Sequence, residues 1–165
     1  MIDDVAASTP DLRISELATI DLAGRGVSLG VERHAVTGGD VWLYDAASQV
    51  LAAGDLVTLP APLFDTACPE RWTQALDRIA TLRFRWLVPG HGAPLGRGQF
   101  VIYRESYERL LRCAASKAPK LQCIDGWISD AGGLFPQEQQ ALARSLLSYY
   151  LDQKLRAPRE AQCRS

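Results

Sequence analysis

Residues 49–92 read QVLAAGDLVTLPAPLFDTACPERWTQALDRIATLRFRWLVPGHG, and the order of signals in this stretch decides the fold. Gln49 to Ala53 is a short run with strand character, closed by Gly54-Asp55-Leu56. Leu56 to Cys68 carries Pro60 and Pro62 and sustains no period, as expected of a loop across one end of a sheet. Pro69 suits a first helical position and Glu70 complements the positive end of a helix dipole. Trp72, Leu76, Ile79 and Leu82 then fall on one turn-spaced stripe. Phe84 to Val88 is apolar apart from Arg85 and stops at Pro89-Gly90-His91-Gly92. Strand, helix and strand in that order predict a crossover unit with its two strands parallel and adjacent, hence an α/β protein.

Working outward, Val27, Leu29 and Val31 alternate with Ser28, Gly30 and Glu32, which predicts a strand with one buried face. Thr37-Gly38-Gly39 supplies a turn before the apolar run Val41 to Tyr44, and two close antiparallel pairings are expected. On the other side, Phe100, Tyr103, Tyr107, Leu110, Leu111 and Ala114 make a helical stripe. Pro136 opens a second helix carrying Leu142, Leu146, Tyr149, Tyr150 and Leu155, with Gly132-Gly133 between the two. The expected division is a mixed α/β unit over 1–98 and a helical extension over 99–165.

The chain has 165 residues, 47% of them hydrophobic and 22% charged, which fits about one folded domain and excludes a disordered or collagen-like chain. Eighteen Lys and Arg against nineteen Asp and Glu, with no run of one sign, argue against nucleic acid as a partner. No stretch reaches the ~18 apolar residues of a membrane span. The first ten residues are acidic and lack the basic start and apolar run of a signal peptide, so the sequence as written reads as cytoplasmic.

Two motifs carry chemistry, Gly54-Asp55-Leu56 and Pro89-Gly90-His91-Gly92, each where a strand gives way to a loop. A carboxylate and an imidazole on neighbouring strand ends can share one divalent ion, and the glycines let the backbone turn sharply beside it. Taken singly, each has a plainer reading: a turn carboxylate capping nearby amides, and a solvated loop histidine.

Together, the strand, GDL, proline-containing loop, Trp-bearing helix, strand and PGHG resemble the carboxyl-terminal half of metallo-β-lactamase-fold hydrolases, over roughly Leu17 to Gly98. The resemblance implies half of an αββα sandwich plus a helical tail. It assigns Asp55 to bridging two zinc ions and His91 to binding the second. The family's H-x-H-x-D-H motif is absent, since the only histidines are His34 and His91. Where the family carries a histidine in an H-T-x-G-D string, this chain has Val36-Thr37-Gly38-Gly39-Asp40. Valine cannot bind metal, and His34, two residues away on the same expected strand face, replaces it only if the backbone bulges. Asp55 and His91 alone are too few for a catalytic zinc, which takes three protein ligands and an open position.

The resemblance therefore implies the carboxyl-terminal part of a zinc hydrolase acting on a small-molecule ester, amide or thioester, inactive alone. Met1 then falls mid-domain, with the histidine motif expected upstream. An upstream signal peptide would make the protein periplasmic. A half-sandwich leaves one apolar sheet face uncovered, so the missing half, a partner chain or a homo-oligomer is expected on it. The alternative is a degenerate, non-catalytic member serving as an interaction module through its aromatic tail. A third reading is a small complete enzyme adding loop acids such as Asp65. Of the four cysteines, Cys113 and Cys123 are expected within bridging distance, as a disulfide in an oxidising compartment or as two reduced thiols. Cys68 and Cys163 are expected unpaired.

Overall fold

Six strands form one sheet in the order in which they occur along the chain; a computed structural model describes residues 13–157 together with Cys163. Strands β1 (Ala18–Leu22), β2 (Arg25–Glu32), β3 (Asp40–Asp45) and β4 (Val50–Thr58) pair antiparallel in succession. Helix α1 (Pro69–Thr81) then crosses over, and β5 (Trp86–His91) returns parallel to β4. The two-residue strand β6 (Leu95–Gly96) pairs antiparallel with β5, and α2 (Arg97–Ala115), α3 (Lys120–Ala131) and α4 (Gln140–Tyr150) follow. The expected α/β class and crossover are present.

Local chemistry explains the tight connections. The β1–β2 turn places Ala23 and Gly24 at φ 54° and 80°, the left-handed pair that a two-residue hairpin requires. In the β3–β4 turn the Asp45 carboxylate accepts hydrogen bonds from the Ser48 hydroxyl and from the amides of Ala47 and Ser48. The Ser48 hydroxyl, ahead of these amides and Arg25, holds the Asp45 carboxyl below the usual carboxylate range.

Register sorts the sheet into two faces, because partners in a ladder point the same way. Trp42 opposes Gly30, Tyr44 opposes Leu51, and Leu51 opposes Leu87, which opposes Leu95. Leu51, Leu87 and Leu95 on this face are at most 1% exposed, and α1 and α2 lie against its strands. The other face carries Ile20, Leu22, Val27, Leu29, Val31, Val41, Leu43, Val50, Ala52, Trp86 and Val88. It is apolar almost throughout and only partly covered: Val27 and Leu29 are buried, whereas Leu22, Val41, Trp86 and Val88 are 52%, 50%, 44% and 41% exposed. Within the apolar run Val41 to Tyr44, Trp42 thus points to the helices and Val41 to solvent.

On the covered face the Trp42 indole lies across Gly30, where a Cβ would fall on its ring. The indole N–H donates to Glu32 at 3.1 Å, and Arg78 of α1 grips the same carboxylate, 2.9 Å from Nε. Gly30→Ala is therefore expected to cost about 1–3 kcal/mol in urea unfolding, the usual range for overpacking. A loss under ~0.5 kcal/mol would show that Trp42 moves freely.

The helical segment differs from its sequence reading in two ways. It holds a third helix, α3, in front of Gly132-Gly133, and α4 buries Ala143, Leu147 and Tyr150 while Leu142 and Tyr149 stay half-exposed. Contacts chose that face: α4 packs on α3, and the Tyr150 hydroxyl donates to Asp65 at 2.7 Å. Asp65 thereby serves as an acceptor that ties the β4–α1 loop to α4. One core joins sheet and helices, with Trp127 of α3 donating its indole N–H to Pro60 O at 2.9 Å and Trp72 fully buried.

Cys113 and Cys123 form a disulfide with Cα atoms 5.5 Å apart, joining the last turn of α2 to α3. Contrary to expectation, Cys68 and Cys163 are bonded too, with Cα atoms 5.2 Å apart. Sequence spacing concealed this pair because 95 residues separate its members. Among the described residues, no helix is long and apolar enough to cross a membrane.

Candidate metal centre

The first motif lies inside a strand, and the second does so as far as His91. Strand β4 runs through Asp55 to Thr58 and β5 through His91, because the parallel ladder continues past Gly54-Asp55-Leu56 and up to His91: Gly54 opposes Pro89, Thr58 opposes His91, and Leu59 N donates to His91 O at 3.0 Å. The loop begins at Leu59 rather than at Leu56. The register shifts on either side of Gly54, which sits at φ 53°, and this bulge turns the Asp55 side chain out of the ladder.

Gly90 brings the strands together. A Cβ on it would fall on the Asp55 carboxylate and lie 2.9 Å from both Asp55 N and Gly54 C, so only glycine allows this approach. Gly92, at φ 109°, lets the chain pass Leu59, whose Cβ would lie 3.0 Å from a side chain there. As a result Asp55 Oδ1 lies 3.7 Å from His91 Nε2, although 36 residues separate them (91 minus 55). Their side chains are 46% and 62% exposed, so the pair faces outward at the end of the sheet.

The 3.7 Å gap is too long for a hydrogen bond. It is close to the ~3.4 Å that separates two ligands of a tetrahedral zinc with bonds of ~2.1 Å. A third donor is lacking: among the described residues no other His, Cys, Asp or Glu joins this pair within 4.8 Å. The residues present therefore do not complete a catalytic zinc site. Among the described residues, the one cluster of three such groups is Cys68, Glu70 and Cys163, and its sulfurs are spent on a disulfide.

Neither residue of the family's third-ligand region stands on a strand, as β2 ends at Glu32. His34 sits at φ 56°, in the left-handed region, and Val36 is 5% exposed. Asp40 builds this turn, accepting from Val36 N at 2.8 Å and from the Thr37 amide and hydroxyl. Thr66 donates to Val36 O at 2.8 Å and Cys68 N to Ala35 O at 2.9 Å, fixing the segment on the β4–α1 loop. The sequence reading passed over Asp40; the Thr-x-x-Asp spacing was its signal. Tyr103, expected on a helical stripe, is buried, and its hydroxyl accepts from Thr58 N at 3.4 Å in the strand that carries Asp55. Burial raises the Tyr103 and Tyr107 phenols well above their usual range and keeps them protonated.

No protein-family model matches the sequence, and no curated protein matches it. Solved structures do. A metallo-β-lactamase from Pontibacter korlensis is 21% identical over 57% of this chain and 46% of its own, with a TM-score of 0.49. The DIM-1 metallo-β-lactamase is 15% identical over 57% and 46%, with a TM-score of 0.48. A double mutant of the sec-alkyl sulfatase PisA1 is 15% identical over 91% of this chain and 28% of its own, with a TM-score of 0.59. The chain thus spans less than half the length of each of these proteins. The likeness to the sulfatase reaches past the sheet and α1 into the carboxyl-terminal helices, so those helices belong to the same arrangement. By its sheet, its crossover and the place of its two motifs, the chain has the carboxyl-terminal half of a metallo-β-lactamase fold.

Proposed function

We propose that this chain is the carboxyl-terminal part of a metal-dependent hydrolase of the metallo-β-lactamase superfamily, with Asp55 and His91 as two of its zinc ligands. Its substrate would be a small molecule with an ester, amide or thioester-like bond. The observation that carries this reading is the 3.7 Å approach of Asp55 to His91 at an outward-facing sheet end. The apolar face bearing Val41, Trp86 and Val88 is where a second sheet would pack, and the missing metal donors would arrive with it. Pairing of all four cysteines supports folding in an oxidising compartment, such as the periplasm.

The test has two parts. The chain by itself is expected to bind zinc weakly, and Asp55→Ala or His91→Ala to abolish that binding while leaving the fold intact. Stoichiometric, chelator-resistant zinc would overturn the claim that the donor set is incomplete. The gene is then read upstream of Met1: an in-frame H-x-H-x-D-H supports the hydrolase. Its absence favours a non-catalytic interaction module, the reading that buried Val36 also favours.

A further prediction concerns the partly open face. By sedimentation the chain is expected to self-associate and to bind a hydrophobic dye, and Val41→Asp with Val88→Asp to suppress both. A wild-type chain that sediments as a dye-free monomer would mean that this face needs no cover.

A further inference from the structure

A cavity of about 560 Å³ lies away from the Asp55–His91 pair, where the first turn of α1, the last turn of α2 and the wide turn Leu151–Leu155 meet. We propose that it binds an amphiphilic monoanion, a molecule with an aliphatic body and one carboxylate-like head. The volume falls in the range of small-molecule sites, ~300–1,000 Å³.

Its walls explain both its hollowness and its preference. Phe64, Leu111 and Leu155 supply apolar surface, while Ala114 and Ala115 keep the end of α2 too slim to fill the space. The cavity opens to solvent on one side and its walls are more apolar than polar, which suits a guest with an aliphatic body and a polar head. Charge selects the head group. The cavity meets the positive end of one helix and the negative end of another, so their dipoles oppose and the side chains set the sign. Glu70 lies against the disulfide wall, its Oε2 3.6 Å from Sγ of both Cys68 and Cys163. Arg112 is partly matched by Glu108, 3.6 Å away. Lys154 has no ion-pair or hydrogen-bond partner among the described residues and is left as the cation at the cavity.

The probe is decanoate, below its micellar concentration, titrated calorimetrically into the full chain, with decyltrimethylammonium as its cationic counterpart. One decanoate per chain is expected, with the cation at least tenfold weaker. Lys154→Glu should weaken decanoate at least tenfold. Ala115→Trp, at an exposed wall position, should abolish binding while thermal melting confirms the fold. His91→Ala, which empties the proposed metal site, and Val41→Asp, on the partly open sheet face, should leave decanoate binding unchanged. The proposal is overturned if decanoate gives no saturable heat, if both amphiphiles bind alike, or if Ala115→Trp binds like the wild type. Loss of binding in Val41→Asp would also overturn it, since the amphiphile would then be coating the sheet.

Discussion

Cys163→Ser is expected to lower the unfolding free energy by about 4.7 kcal/mol, against about 2.7 kcal/mol for Cys123→Ser, on a chain-entropy estimate for the two closed loops. The loops differ in length: Cys68 and Cys163 are 95 positions apart in the sequence, Cys113 and Cys123 only 10. An unfolded chain cross-linked at distant points loses more freedom, so the same chemical change costs more at the distant pair. The difference of about 2 kcal/mol is the more secure quantity, because common errors in the reference state cancel. Urea unfolding of the two variants and of the fully reduced wild type measures it. Equal losses from the two variants, or a wild type whose reduction leaves its midpoint unmoved, would show that these bonds do not constrain the unfolded chain.

Gly90→Ala is expected to cost about 1–3 kcal/mol of stability and to remove zinc binding together. A new Cβ there meets Asp55 N and Gly54 C at 2.9 Å, and backbone cannot step aside as a flexible side chain can. Relief comes only by pushing β4 away from β5, which carries the Asp55 carboxylate away from His91. Gly98→Ala is the matched control: a Cβ there meets nothing within 4 Å, and in the first turn of α2 alanine is the better helix former. That variant is expected to gain up to about 1 kcal/mol and to keep its zinc affinity. If Gly90→Ala binds zinc as the wild type does, Asp55 and His91 are not held together by this close approach.

The sequence by itself determined the order of elements between Gln49 and Gly92, because each was written in local terms: a proline and a glutamate at a helix start, a stripe at turn spacing, a glycine where a strand must bend. It also marked Asp55 and His91, since an acid and an imidazole beside glycines are conspicuous without a structure. It misjudged the strand ends, placing both residues in loops, because a parallel ladder is a partnership: Thr58 stays extended only because His91 lies opposite. The face that α4 buries was illegible for the same reason. Leu142 and Leu146 lie on as good a stripe as Ala143 and Leu147, and only the packing of α4 on α3 and the Tyr150–Asp65 bond choose between them. Tertiary structure alone decided the Cys68–Cys163 bond, the 3.7 Å approach of Asp55 to His91, and which sheet face is left partly open. All three join residues far apart in the chain, and such contacts depend on how the whole chain closes rather than on any local preference.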